Sequence, residues 1–277
     1  MEGNTKTIYG DIALAQYKQG HYKRAAAYYA KDLVVAERSG MQQTAADICN
    51  NLGVIYAKLK NDEQAIEYHS RAMEIREKIF GTEHPNTAAS YNNIAEIYLL
   101  RGECDKALEY YKKALDIFKN TEGEEHLSTA TAYDNIGMTY HAKLDHDRAL
   151  QYYDKARVIR EKICGADDPE TAITYNNLAG IYRINEEYDR AEENYKKAID
   201  IFERTSGANH PNTATAYSNL GVLYATKGDR MKALKCFIRA RDAFLKTLGK
   251  EHPSTKSLDE IIIAAQNAAN QAGPVKV

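Results

Sequence analysis

One eight-residue stretch returns along the chain at a constant interval, and this period restricts the possible folds more than any other feature. The stretch reads Tyr-Asn-Asn-Ile-Ala-Glu-Ile-Tyr at residues 91–98. Its second asparagine recurs every 42 residues, at Asn51, Asn93, Asn135, Asn177 and Asn219. A period of this size indicates stacked repeats, each of which buries its apolar face against a neighbour.

The spacing inside each repeat predicts a pair of helices. The pattern is aromatic-x2-apolar-small-x2-Tyr and then Ala-x3-aromatic, for example Tyr133, Ile136, Gly137 and Tyr140, then Ala149 and Tyr153. The period of 42 does not identify the repeat class, because tetratricopeptide repeats usually span about 34 residues and HEAT or armadillo repeats about 40–47. The internal pattern favours the tetratricopeptide class, with Tyr in place of Trp. Apolar residues continue at helical spacing through 107–118, which predicts a long second helix.

A second recurring segment, Gly-x-x-His-Pro-x-Thr, joins one repeat to the next. Glycine suits the position after a helix and proline the first position of the following helix, so the residue before proline is the expected N-cap. Asp168 has a side chain well suited to that role. His84, His126, His210 and His252 occupy the same place. Neighbouring helices lie about 8–10 Å apart, too far for one ion to bridge successive joints. We therefore expect neither a metal site nor a cofactor.

The Tyr-Asn-Asn-Leu-Ala core and the Gly-x-x-His-Pro-x-Thr joint, repeated every 42 residues, resemble the kinesin-light-chain type of tetratricopeptide repeat. The resemblance covers roughly residues 41–256. It implies a superhelical scaffold whose concave groove holds peptide segments of partner proteins. Kinesin light chains carry a heptad coiled coil before the repeats, and this sequence shows no such region.

Composition narrows the possible partners. The 37 basic and 39 acidic residues nearly cancel, which disfavours binding to nucleic acid or to an anionic membrane. No apolar run is long enough for a membrane span and no leader precedes the repeats, so we expect a cytoplasmic protein. The four cysteines are widely spaced, which favours reduced thiols.

The predicted fold is all-α: a right-handed superhelical solenoid of six tetratricopeptide helix pairs and a capping helix. We expect a degenerate first repeat at 1–40, five repeats at 41–251, and a capping helix with a frayed tail at 252–277, all in one continuous domain. First helices are predicted near 43–59, 85–101, 127–143, 169–185 and 211–227. Second helices are predicted near 62–79, 104–120, 146–162, 188–204 and 230–247. The capping helix is predicted near 254–270.

The first helices are expected to line the concave side, and their polar positions form the candidate binding site. Helical periodicity places two successive polar residues per repeat on this side. The second of the two is the asparagine at 51, 93, 135, 177 and 219. The first is Asn50, Asn92, Asp134 or Asn176. An amide both donates and accepts hydrogen bonds, so a row of amides would hold the backbone of an extended peptide. Alternatively, each amide bonds the adjacent helix and stabilises the stacking; the two interpretations are compatible.

Other side chains on the same face would contact the side chains of a bound peptide and select among peptide sequences. Arg183 and Lys58 are candidates for binding an acidic group, and Leu99, Met138 and His141 complete the candidate set. Leu100 and Ile184 are further apolar candidates.

No catalytic motif accompanies these residues, so we expect a non-enzymatic scaffold that binds a protein or peptide. The alternative is a sensor or regulatory module that acts on a separate effector. Self-association through the ends of the solenoid, where Ile263 breaks the pattern of the capping helix, is a further possibility.

Overall fold

The structure, a computed structural model, describes residues 8–271 and the side chains of residues 9–265, and all regular secondary structure in this part is α-helical. It divides into two compact halves, Met1–Lys143 and Leu144–Val277. The N-terminal half contains α1 (Ile8–Lys18), α2 (Tyr22–Arg38), α3 (Gln42–Lys58), α4 (Asp62–Phe80), α5 (Pro85–Leu100), α6 (Cys104–Thr121) and α7 (Leu127–Ala142). The C-terminal half contains α8 (His146–Ile163), α9 (Pro169–Ile184), α10 (Tyr188–Thr205), α11 (Pro211–Thr226), α12 (Arg230–Leu248) and α13 (Pro253–Gln271). From α3 onward, the predicted helices agree with these bounds to within one residue.

In the α3–α4 and α11–α12 pairs, a small residue of the first helix meets a ring of the second. A Cβ atom added to Gly221 would lie 2.7 Å from the Phe237 ring, and one added to Gly53 would lie 2.6 Å from the His69 ring. Larger residues cannot be accommodated at these positions without moving the paired helix. The small-residue position therefore identifies the side of each first helix that faces its partner.

The joints between repeats follow the expected capping pattern. Asp168 Oδ1 accepts a hydrogen bond from the Glu170 backbone N–H at 2.9 Å. His84 and His210 cap with Nδ1, at 3.1 and 3.2 Å from the N–H two residues later. A threonine hydroxyl then donates back to the carbonyl of the joint glycine, as Thr213 does to Gly207 at 2.9 Å. Side-chain capping explains why histidine and aspartate are interchangeable here.

Within a pair, the two helices are joined by a tight turn with one residue in the left-handed backbone region. Gly228 occupies this position with φ 80°, and Glu186, 42 residues earlier, occupies it with φ 62°. A residue with a Cβ atom is strained in this region, and glycine is not.

Replacing Glu186 by Gly is therefore expected to raise the free energy of unfolding by about 1 kcal/mol. Chemical denaturation monitored by circular dichroism measures the change. The matched control, Gly228→Ala, should lower the free energy of unfolding by a similar amount. A change of the same sign in both variants would contradict the backbone explanation.

The last helix is only partly covered. Leu258 and Ile262 are buried against α12, whereas Ile261 and Ala265, each three residues further on, are exposed. The tail predicted to fray and residues 1–7 of the first repeat fall outside the described residues, as do the side chains of 266–271. In residues 8–271, no helix is both long and apolar enough to cross a membrane.

Candidate peptide-binding surface of the first helices

The nine polar residues predicted on the first helices, which we call the ladder, all lie outside the buried core. Asn51 is exposed, and the others are half-buried: Asn50, Asn92, Asn93, Asp134, Asn135, Asn176, Asn177 and Asn219. The residues that follow them toward the helix interior, such as Leu52, Ile94 and Leu220, are buried. The 3.6-residue periodicity of the first helices produces this division, because the apolar positions turn toward the second helices.

Two ladder amides link successive first helices. Asn93 Nδ2 donates to Asn50 Oδ1 at 2.5 Å, joining α5 to α3. Asn219 Nδ2 donates to Asn176 Oδ1 at 3.1 Å, joining α11 to α9. Each link uses one donor and one acceptor, whereas an amide has two donors and an acceptor oxygen with two lone pairs. The paired amides therefore stabilise the stacking and retain capacity for a further ligand.

A small cleft lies beside the exposed ladder residue of the N-terminal half. It has a volume of about 180 Å³ and is lined by Leu14, Tyr17, Tyr29, Asn51, Val54 and Ile55. The Asn51 amide is hydrogen-bonded to the Tyr29 hydroxyl, while burial raises the pKa of that phenol. The cleft thus combines an apolar lining with an oriented amide at its edge. Leu14, Tyr17 and Tyr29 were not among the predicted site residues, which all lie in the later repeats. Leu14 lies 40 residues before Val54, which is the step of the first repeat.

Tyrosines of α5 and α11 connect these first helices to the second helix of the preceding repeat. Tyr91 donates to Glu77 and Tyr217 donates to Glu203, each at 2.8 Å. Burial, followed by the hydrogen bond to the carboxylate, raises the pKa of Tyr91 and of Tyr217 to about 12. These phenols stay protonated at physiological pH and act as donors that position the first helices.

The remaining candidate residues have different surroundings. Arg183 is half-buried and hydrogen-bonds the Tyr195 hydroxyl, so part of its donor capacity is directed at α10. Lys58 is exposed at the end of α3. Met138 is exposed on α7, and Leu99 and His141 are half-buried. Arg183 and Lys58 therefore differ in their surroundings, since Arg183 contacts α10 and Lys58 is exposed.

Buried polar residues of the second helices were also missed. Arg76 and His69 of α4 and Arg160 of α8 are buried. Arg76 bonds Ser90 Oγ and Asp47 Oδ1, both at 2.9 Å. The available signal was the replacement of an aromatic residue, since Arg76 and Arg160 stand where the next repeats have Phe118 and Phe202.

The helix pairs, their joints and the amide surface define a tetratricopeptide-repeat protein. The family model described as "Tetratricopeptide repeat" matches residues 44–120, 93–162, 128–201 and 170–246. The chain belongs to this family. Its repeats form scaffolds for protein interaction or sensing, bind protein partners and are typically non-catalytic.

Solved structures of kinesin-light-chain-like repeats are among those similar to this chain. BtubC (BKLC) from P. vanneervenii is 25% identical, with a TM-score of 0.71 over 84% of this chain and 94% of that one. The putative kinesin light chain repeats of Podosopora anserina are 23% identical, with a TM-score of 0.58 over 72% of this chain and 94% of that one. A Rap protein complexed with competence and sporulation factor is 17% identical, with a TM-score of 0.65 over 98% and 78%. No protein with a curated description matches the sequence. The similarity of structure confirms the repeat fold.

Proposed function

We propose that the protein binds an extended peptide segment of a partner protein along its first helices. The observation that carries this proposal is the row of half-buried to exposed amides, which keep donors and acceptors available after linking the helices. An extended peptide presents unpaired backbone N–H and C=O groups along its length. Amides spaced along one surface satisfy these groups whatever the peptide sequence.

The cleft beside Asn51 supplies selectivity in this proposal. Its volume of about 180 Å³ suits one medium-sized apolar side chain, and Leu14 and Val54 supply apolar contact. Lys58 lies seven residues after Asn51, on the same side of α3, where it favours an acidic residue in the ligand. Four further residues of the first helices are proposed to contact ligand side chains: Leu99, Met138, His141 and Arg183.

The test uses peptides selected from a random library displayed on phage, synthesised with a fluorescent label. Replacing Asn51 and Asn135, both in the N-terminal half, by Ala together is expected to weaken binding at least about tenfold, because each amide loses hydrogen bonds to the ligand. Both residues are outside the Asn50–Asn93 link. Because Asn51→Ala also removes the bond to the Tyr29 hydroxyl, folding is measured beside affinity. Fluorescence anisotropy measures the affinity and circular dichroism the folding.

The control variant replaces Asn120 and Asn194, two asparagines of second helices, by Ala. Its affinity is expected to equal that of the unaltered protein. A correctly folded Asn51→Ala, Asn135→Ala variant with unchanged affinity, or a library that yields no binder, would contradict the proposal.

The alternative function, a sensor acting on a separate effector, requires the same surface and adds a change of shape. Small-angle scattering with and without a selected peptide separates the two. We expect unchanged scattering for a scaffold and a changed radius of gyration for a sensor.

A further inference from the structure

Helix α2 carries two cations that lack the acidic partners found in the later repeats. Arg24 and Lys31 lie seven residues apart, on one side of the helix, and both are exposed. Among the residues that the structure describes, neither forms an ion pair. Lys31 Nζ lies 5.9 Å from the ring centroid of Tyr9 and 5.6 Å from that of Tyr28, which orients the ammonium group without neutralising its charge.

The position of Arg24 has an acidic partner in most later repeats. The partner is the N-cap residue of the same helix, three positions earlier. Four such pairs are formed, in α6, α8, α10 and α12: Lys106–Glu103 at 2.6 Å, Arg148–Asp145 at 3.5 Å, Arg190–Glu187 at 2.6 Å and Lys232–Asp229 at 2.9 Å. Helix α4 has the uncharged Gln64 at this position. In α2 the cation is kept but the N-cap residue is His21, so the carboxylate is missing.

The position of Lys31 is also paired in later repeats. In α6 and α10 the partner is a glutamate four residues earlier: Lys113–Glu109 and Lys197–Glu193, both at 2.8 Å. In α4 and α12 it is a glutamate of the preceding second helix: Arg71–Glu37, and Arg239–Glu203 at 3.8 Å. Ala27 stands where α6 and α10 have their glutamates. The first repeat has therefore kept both cations and lost both of the acids that α6 uses.

A third substitution opens a space between the two cations. Gln16 of α1 stands where every later first helix has a tyrosine: Tyr56, Tyr98, Tyr140, Tyr182 and Tyr224. The smaller side chain borders a depression of about 340 Å³, which is lined by Gln16, Arg24, Ala27, Tyr28 and Lys31. We call these five residues the α1–α2 site. His21 Nδ1 and Gln16 Oε1 are 3.2 Å apart, so the amide oxygen accepts from the imidazole and both amide N–H groups remain available.

The two cation positions are accessible in stacked repeats as well. Helix α6 lies within the N-terminal half and is preceded by two helix pairs. Its side chains at these positions are nevertheless exposed, Lys106 by 58% and Lys113 by 50%. The accessibility of Arg24 and Lys31 therefore does not depend on what precedes α1.

Charge and spacing restrict the ligand of the α1–α2 site. Arg24, Lys31 and the Gln16 amide offer hydrogen-bond donors, which suit a ligand rich in acceptors. In the later repeats the groups that neutralise these positions are carboxylates. Seven residues of helix separate the two cations by about 10 Å along the axis, which suits two separate carboxylates better than one. An acidic polypeptide segment has this chemistry.

We propose that the α1–α2 site binds an acidic segment of a partner protein, whose two carboxylates replace the acids missing at positions 21 and 27. The carboxylates contact Arg24 and Lys31, and the Gln16 amide donates to the backbone of the segment. The site shares no lining residue with the cleft beside Asn51. It is therefore distinct from the first-helix surface of the proposed function.

The probe is a peptide selected from a random library displayed on phage. An excess of the Arg24→Gln, Lys31→Gln variant in solution removes peptides that bind elsewhere on the chain. We expect the selected peptides to carry at least two acidic residues. Replacing these acids by amides, or Arg24 and Lys31 by Gln, should weaken binding at least about fivefold at low ionic strength. Fluorescence anisotropy with labelled peptides measures the affinity.

Restoring the missing acids tests the same site without removing a cation. His21→Glu with Ala27→Glu copies Glu103 and Glu109 of α6. The new carboxylates compete with the ligand for the two cations, so the affinity should fall at least about fivefold. The matched control, His21→Gln with Ala27→Gln, adds side chains of the same shape without charge and should keep the affinity within about twofold.

Two further controls alter cations elsewhere. Lys106→Gln with Lys113→Gln changes the matched positions of α6, whose cations already have partners, and should leave the affinity unchanged. Lys58→Gln changes the first-helix surface and should also have no effect. Peptides selected for the first-helix surface should bind all of these variants except Lys58→Gln normally, which shows that the variants are folded and separates the two proposals.

Several results would overturn the proposal. One is a selection that yields no acidic binder, and another is unchanged affinity in the His21→Glu, Ala27→Glu variant. Tighter binding to vesicles of phosphatidylserine and phosphatidylcholine than to the peptides would assign the site to a membrane surface. Higher peptide affinity in Glu2→Gln would show that an acid of the chain itself occupies the site.

Discussion

Replacing Arg76 by Ala is expected to lower the free energy of unfolding by about 3 kcal/mol. The Arg76 side chain is buried, and its guanidinium bonds Ser90, Asp47 and the Asn86 carbonyl across three helices of the N-terminal half. Truncation to Ala leaves a cavity and an unpaired buried hydroxyl at Ser90. Urea denaturation followed by circular dichroism measures the loss.

A compensating variant distinguishes this explanation from a general loss of packing. The residues 14 positions after the two buried arginines are Ser90 and Thr174, whereas those after Phe118 and Phe202 are Ala132 and Ala216. Arg76→Phe combined with Ser90→Ala copies the second combination. We expect it to recover stability to within about 1 kcal/mol of the unaltered protein. If Arg76→Phe alone is as stable as the double variant, the two positions are not coupled.

The N-terminal half is expected to lose about 3 kcal/mol of stability between pH 6.5 and pH 4 through His69. Burial against Gly53, and secondarily the Arg76 guanidinium, lowers the pKa of His69 from 6.5 to about 4. In this range the unfolded chain binds a proton that the folded chain does not, so stability falls as the pH falls. Above pH 6.5 both states are neutral and the stability is fully present.

His69→Phe should remove this part of the pH dependence. The variant reproduces the Gly221–Phe237 contact of the sixth pair, so the ring still fits over Gly53. Denaturation at a series of pH values measures the slope. The control, His21→Gln, alters an exposed histidine and should keep the slope of the unaltered protein. An unchanged slope in His69→Phe would show that other groups cause the acid sensitivity.

The two buried polar residues of α4 also show where pattern reasoning from the sequence has its limit. The repeat pattern assigns His69 to the aromatic position and Arg76 to an apolar one, but it does not reveal how a charged group is accommodated there. The answer depends on Ser90 and Asp47, which lie 14 residues after and 29 residues before Arg76. These partners meet only because α3, α4 and α5 pack together.

For the candidate surface, too, the sequence predicted one part and only the structure showed the other. Periodicity alone predicts that the ladder asparagines lie on the outer side of the first helices, and the structure places all of them outside the buried core. Asn93 pairs with Asn50 and Asn219 pairs with Asn176, each 43 positions apart. This pairing does not follow from the sequence, because it depends on the distance between neighbouring first helices. The roles of these residues in ligand binding stay predictions.

The sequence by itself determined the repeat class, the helix boundaries and the capping joints, because each depends on residues a few positions apart within one helix or turn. Tertiary structure alone decided which polar groups pair across helices, and that Arg183 turns toward Tyr195 while Lys58 stays in solvent. These outcomes depend on distances between helices, which no local pattern of residues encodes.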